Sequence, residues 1–252
     1  MKEIAELVIP WLEEAASVLR EKMLEPLEVE TKSGRNDLVT NLDKATQAFL
    51  VGKIQEHFPE DDILGEESGF NQEVDWQKRV WIIDPIDGTL NFVLQKQNFC
   101  IMLALYEKRQ SRLGFIYDVM AGKLYWGGRD LGVYCNQEKL RPPKAMRLAD
   151  GLLGMNAYLY AHNLCNAQAV GDATAGVRIM GCAGLEMIAI LTGQQVGYLS
   201  NLQPWDYAPG CALLDAFGIP YTGADKAPLN FSGRQPFIAL SQPAFAEFQK
   251  SF

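Results

Sequence analysis

The chain has 252 residues and a mass of 28.1 kDa, 48% of it hydrophobic and 21% charged, enough for a substantial core in one large domain or two packed halves. A net charge of −8 disfavours nucleic acid as a general partner, since an acidic protein gains little from counterion release, and it repels anionic substrates unless cations sit at the site. The longest apolar run, Phe99 to Tyr106, is too short to span a membrane, and five cysteines with no paired spacing and two histidines read as buried thiols of a cytoplasmic protein rather than a zinc site or a disulfide framework.

In chain order, Ile4, Leu7, Val8, Trp11, Leu12, Ala15 and Leu19 recur at helical spacing and predict an amphipathic helix from 2 to 24, ended by Pro26. Its acidic, helical start does not have the pattern of a secretory leader. A short strand follows at 27–31, then a polar turn at 32–37. Thr40 is placed to cap a helix over 41–57. Val80-Trp81-Ile82-Ile83 is an apolar run expected to be a buried strand, and Pro85 is expected to end it at Asp84. Four strands at 99–106, 113–119, 123–126 and 133–135, joined by short turns, predict an antiparallel meander. The Pro-rich stretch 141–150 divides a subdomain 1–145 from a subdomain 146–252. The second half alternates: strands at 152–155, 177–180 and 198–199, helices at 160–170, 184–192 and from Trp205 to a Gly218 cap, edge strands at 219–221 and 237–240, and a final helix opened by Pro243. The fold class is α/β, with an α+β first half and an α/β second half, layered helix on sheet on helix.

The acids stand at element ends: Glu66 in Gly65-Glu66-Glu67-Ser68, Asp84 and Asp87 around Pro85-Ile86, and Asp206 in Pro204-Trp205-Asp206-Tyr207. A lone acid at a helix start is ordinarily a cap, and Asp206 by itself reads that way. The pair Asp84 and Asp87 does not, because two carboxylates at the end of a buried strand repel each other and are costly without a cation or a donor. Oxygen donors so placed suit a hard cation.

Together, Gly65-Glu66-Glu67-Ser68, Trp81 to Phe92 and Trp205-Asp206-Tyr207-Ala208 resemble the signature motifs of the inositol monophosphatase family, within the wider group of lithium-sensitive, magnesium-dependent phosphatases. The resemblance covers nearly the whole chain. It implies a layered αβαβα sugar-phosphatase-like architecture, two or three Mg²⁺ ions and a homodimer. It also implies metal ligation by Glu66, Asp84 (bridging), the Ile86 backbone oxygen, Asp87 and Asp206. Phosphate contacts fall to Gly88 and Thr89, and water activation to Thr89 with Asp43, assisted by Glu66. Lys32 matches a family lysine near the metal-bound water. The implied reaction is hydrolysis of a small phosphorylated metabolite, an inositol monophosphate or sugar phosphate, by in-line attack of a metal-activated water, without nucleic-acid or membrane partners.

The substrate loops depart from the family pattern. Gly181-Cys182-Ala183 carries a cysteine where inositol-specific members have a hydroxyl residue. The segment Tyr198 to Pro204, one residue shorter, has no acid where they have a glutamate shortly before Trp-Asp, leaving Ser200 and Asn201 among its polar side chains. NADP(H), fructose 1,6-bisphosphate and 3′-phosphoadenosine nucleotides are therefore alternative substrates. From a different class, a regulatory binding protein keeping this fold is the other alternative.

Overall fold

Alternation of apolar side chains between the two faces of single strands sets the architecture. The computed structural model describes residues 1–31, 38–67, 69–70 and 73–252. Its elements are α1 (Lys2–Lys22), β1 (Val29–Thr31), β2 (Leu38–Thr40), α2 (Asn41–His57), β3 (Asp62–Gly65), β4 (Arg79–Asp87), α3 (Thr89–Gln95), β5 (Cys100–Glu107), β6 (Gln110–Asp118), β7 (Lys123–Gly128), β8 (Gly132–Cys135) and β9 (Glu138–Lys139). After the Pro-rich connection come β10 (Leu152–Met155), α4 (Ala157–Ala161), α5 (Ala167–Asp172), β11 (Gly176–Arg178), α6 (Ala183–Leu191), β12 (Gly197–Leu202), α7 (Pro204–Phe217), β13 (Tyr221–Thr222), β14 (Gln235–Leu240) and α8 (Gln242–Ser251).

The first sheet runs β3-β4-β5-β6-β7-β8-β9, with β3 parallel to β4 and each later neighbour antiparallel, so the expected meander is present. On β4, Val80 and Ile82 enter one core while Trp81 and Ile83 enter the opposite one. On β5, Met102 and Ala104 oppose Ile101, Leu103 and Leu105 in the same way. Burial on both faces is why the β4 sequence reads as an unbroken apolar run. One core packs Val8, Leu12, Leu50 and Ile54 of α1 and α2. The other packs Leu185, Met187 and Leu213 of α6 and α7, together with Tyr198 and Phe237 of the second sheet.

That second sheet has the order β11-β10-β12-β14-β13, parallel through its first three strands and antiparallel on both sides of β14. Leu153, Leu199 and Ile238 on its far face pack with Leu159, Val170 and Phe248 of α4, α5 and α8. The stack is therefore α1/α2, sheet, α6/α7, sheet, α4/α5/α8, the five-layer α/β arrangement expected.

Three details differ from the sequence reading. First, β4 does not stop at Asp84. Pairing with β5 slips between Asp84↔Met102 and Asp87↔Cys100, so a bulge absorbs Pro85, which has no N–H to give the ladder. Second, the helix expected over 160–170 is broken into α4 and α5 by left-handed Asn163, Cys165 and Asn166. Third, of the two strands expected at an edge only β13 is one, since β14 pairs on both sides.

The inner helix layer lies close on the first sheet at Gly114 of β6. A Cβ there would stand 2.3 Å from the Pro209 carbonyl oxygen and 3.0 Å from Ala212 Cβ on α7. Gly114→Ala is expected to lower the unfolding free energy by about 1–3 kcal/mol through overpacking, measured by urea denaturation. An unchanged midpoint would contradict this close approach of sheet and helix.

Candidate active site

The acids are set by strand ends and helix caps. Asp84 is 2% exposed and its Oδ1 accepts the Ile86 N–H at 3.1 Å, a local turn that holds the bulge. Glu66 follows β3, where its N–H donates to the Ile83 carbonyl at 3.1 Å, so β3 and β4 deliver Glu66 and Asp84 side by side. Their closeness raises the Asp84 carboxyl's hold on its proton. Gln47 of α2 clamps the adjoining turn, accepting from the Glu67 N–H at 2.9 Å and donating to the Glu67 carbonyl at 3.2 Å.

Asp87 returns to the ladder opposite Cys100. Its Oδ2 accepts the Gly184 N–H at 2.6 Å and the Cys182 thiol at 3.1 Å, which ties β4 to the start of α6. Asp206 lies in the first turn of α7 and accepts the Gln203 N–H at 2.8 Å on Oδ2, so it is a helix cap as its isolated sequence context suggests. Arg234 Nη1 lies 4.0 Å from the same oxygen.

Asp43 combines two tasks in the same manner. Oδ2 completes the capping box of α2 by accepting from the Thr40 N–H at 2.8 Å. Oδ1 lies 3.2 Å from Thr89 Oγ1, which lies 2.9 Å from the Ile86 carbonyl. The single Thr89 hydroxyl proton serves one of these acceptors at a time. Gly88, at φ 85°, makes the left-handed turn from β4 into α3 that brings Thr89 there.

Electrostatics mark the cluster. Burial, and then the charges of Glu66, Asp87 and Asp206, push the Asp84 carboxyl well above the usual carboxylate range. Burial with the charges of Asp87 and Glu66 pushes Asp206 up to about 8, and burial pushes Asp43 up to about 6. Asp87 is also raised by burial, against the lowering effect of the Gly184 N–H.

Glu66, Asp87, Gly88, Thr89 and Asp206 line one cleft of about 430 Å³ together with Gly181, Cys182, Ala183, Ser200 and Asn201. Asp84, Ile86 and Asp43 lie beside it, joined through the contacts above. Lys32 lies outside the described residues. The acidic cluster Glu60-Asp61-Asp62 outside the cleft is partly structural: Asp61 is an acceptor for Arg79 Nε and Trp81 Nε1, both at 2.9 Å.

Several contributors escaped the sequence reading. Asn91 Nδ2 donates to the Asn98 and Met180 carbonyls at 3.0 and 2.9 Å, pinning the 180–182 loop to α3. From the other side, buried Glu186 accepts the Met180 N–H at 2.9 Å and Gln195 Nε2 at 2.8 Å, and burial pushes it up to about 7. Arg234 donates to the Asn201 carbonyl at 2.7 Å. Tyr158 lines the cleft while remaining 63% exposed. The only one with a sequence signal was Asn91, inside the quoted motif.

The donor set is all oxygen: four carboxylates and a strand-end carbonyl. Their mutual repulsion leaves a deficit of positive charge that hard divalent cations fit.

Comparison with known proteins bears on the family and the fold. Residues 1–248 match the model of the inositol monophosphatase family. An inositol-1-monophosphatase of Bacillus subtilis is 40% identical over 242 residues, 94% of this chain and 91% of that protein. Nus factor SuhB of Escherichia coli is 33% identical over 198 residues, 75% of this chain and 73% of that one. The solved structure of an IMPase/NADP phosphatase complexed with Mg²⁺ and phosphate superposes with a TM-score of 0.90 at 31% identity, covering 99% of this chain and 94% of that one. The chain belongs to the inositol monophosphatase family and is a phosphatase.

Proposed function

We propose that the cleft hydrolyses the phosphomonoester of a small metabolite at a Mg²⁺ cluster held by Glu66, Asp84, the Ile86 carbonyl, Asp87 and Asp206. The observation that carries this reading is the convergence of four carboxylates at one cleft, where the charges of Glu66, Asp87 and Asp206 add to burial in raising the proton affinity of Asp84, and those of Asp87 and Glu66 add to it at Asp206. Two or three Mg²⁺ ions bound there supply the charge that lets an anionic phosphate approach and that stabilises the departing oxygen.

The chain's own groups do the rest. The N–H groups of Gly88 and Thr89 stand at the turn into α3 and meet phosphate oxygens. Thr89 and Asp43 would form a relay: were the Ile86 carbonyl taken up by a cation, the Thr89 hydroxyl would donate to Asp43 Oδ1, and its oxygen would face the attacking water and take that water's proton as its own passes to Asp43. Asp43 is fit to accept that proton because burial raises its affinity while Thr40 fixes its geometry. Residues 1–145 act as the subdomain holding most metal ligands, and 146–252 as the one supplying Asp206 and the loops around Cys182 and Ser200. The family resemblance carries with it a homodimer, and the five cysteines without paired spacing support a cytoplasmic location. Among the described residues no helix is long and apolar enough to cross a membrane.

Asp87→Asn tests the assignment. It keeps an oxygen for the Gly184 N–H and removes the charge, so Mg²⁺-dependent phosphate release should fall roughly 100-fold or more at unchanged fold. Undiminished turnover would remove Asp87 from the metal site.

One observation favours a second reading of the substrate, a nucleotide-borne phosphate. The cleft is rimmed by exposed Tyr158, Ile179 and Leu90, an apolar edge that a nucleobase can use and a polyol cannot. Asn201 also offers an inositol weaker hydrogen bonds than a carboxylate would, and the Ser200 hydroxyl is buried away from the cleft surface. A phosphate-release panel over inositol 1-phosphate, sugar mono- and bisphosphates, NADP and 3′-phosphoadenosine phosphate should show no strong preference for inositol 1-phosphate. A dominant preference for it would contradict the reading of both the rim and the loop.

A further inference from the structure

The sequence spreads its cysteines without metal-binding spacing, yet the fold gathers two of them on one carboxylate. Asp87 and Cys100 are directly opposed on β4 and β5, and Cys182 caps α6 just above them. Cys100 Sγ and Cys182 Sγ are 3.6 Å apart, and they lie 3.6 and 3.1 Å from Asp87 Oδ2. Cys100 is fully buried, and Cys182 and Asp87 are 2% and 9% exposed.

These separations are close to the edges of a tetrahedral zinc site. With metal–sulfur bonds of about 2.3 Å and metal–oxygen bonds of about 2.1 Å, the S···S and S···O edges are about 3.8 and about 3.6 Å. Two of the three observed edges match closely, and the third is short by about 0.5 Å on the same scale. The walls hold the donors in place. A Cβ on Gly184 would meet Cys100 Sγ at 2.4 Å, and one on Gly88 would meet Cys182 Cβ at 3.1 Å, so glycine at both positions lets the sulfurs approach. The Gly184 N–H, at 2.6 Å from Oδ2, orients the carboxylate from outside. Cys182 and Asp87 both line the cleft, which gives an ion a way in and a water a place as fourth ligand.

We propose that Asp87 Oδ2, Cys100 Sγ and Cys182 Sγ form a second cation site, selective for a thiophilic divalent ion such as Zn²⁺ or Cd²⁺ over Mg²⁺. On binding, two S–H bonds break, two metal–sulfur bonds form and two protons leave to solvent, with no change of oxidation state. Mg²⁺ has little affinity for thiolates, so the hard cluster and the soft site sort their ions by donor chemistry. Asp87 belongs to both, so filling the soft site opposes the hard one. That link rests on the functional reading above. The binding does not, and it is read by spectroscopy so that the two can fail separately.

The test titrates Cd²⁺ into the whole protein in excess Mg²⁺ and follows thiolate-to-cadmium charge-transfer absorption. The signal should saturate at one Cd²⁺ per chain. Affinity should fall at least roughly 100-fold in Cys182→Ser and in Cys100→Ser, and stay unchanged in the Cys135→Ser/Cys165→Ser double variant. X-ray absorption at the cadmium edge of the wild-type protein needs no variant to fold and should show two sulfur neighbours. No charge-transfer band, an all-oxygen or single-sulfur shell, or a signal lost with Cys135 and Cys165 would overturn the proposal.

Discussion

Like charge held in a confined, largely buried space is the constraint on which this molecule depends. Asp84 is almost fully enclosed, and Glu66, Asp87 and Asp206 all act on it. The fold tolerates the crowding by anchoring each aspartate to backbone with one oxygen. Asp84 takes the Ile86 N–H, Asp87 that of Gly184, Asp206 that of Gln203 and Asp43 that of Thr40. Local turns and helix caps thus position carboxylates that would otherwise move apart. The five layers serve the same end, because β4 is covered on both faces and its C-terminal bulge is held between α2 on one side and α6 on the other.

Much of this was legible in the sequence because it is local. The capping box at Thr40, the apolar run before Asp84, the meander and the glycine cap at Gly218 each rest on neighbouring residues. The candidate acids stand out in the sequence because three short motifs occur together. What failed depends on distant partners or on conformations that the local sequence allows without requiring. Pro85 reads as a strand terminator, but a bulge lets the ladder resume two residues later, and the pairing partner that makes this possible lies on β5. The break after α4 depends on Asn163, Cys165 and Asn166 adopting left-handed conformations, which asparagine permits and sequence does not require.

The residues that sequence reasoning missed act across the fold. Glu186, Arg234 and Gln47 are single polar residues whose partners are nine, 33 and 20 positions away. The same holds for Cys100 and Cys182, separated by 82 positions, whose meeting on Asp87 is a property of the layer packing. Specificity belongs to this class as well. The loops around Cys182 and Ser200 have few sequence constraints, whereas the rim made by Tyr158, Ile179 and Leu90 exists only once the second sheet is docked.

The account's central claim is that the acid cluster is a charge deficit which divalent cations complete. Asp43, raised to about 6, and Asp206, raised to about 8, hold their protons to higher pH in the folded chain than in the unfolded one. The folded state therefore binds more protons between about pH 4 and about pH 8, and the metal-free protein loses stability as the pH rises through that window. A cation bound to the ionised cluster reverses the trend. Thermal unfolding from pH 5 to pH 8 with and without Mg²⁺ measures this directly. The expected result is a metal-free midpoint that falls with rising pH and a Mg²⁺-induced rise that is larger at pH 8 than at pH 5. A metal-free protein as stable at pH 8 as at pH 5, with no response to Mg²⁺, would contradict the account.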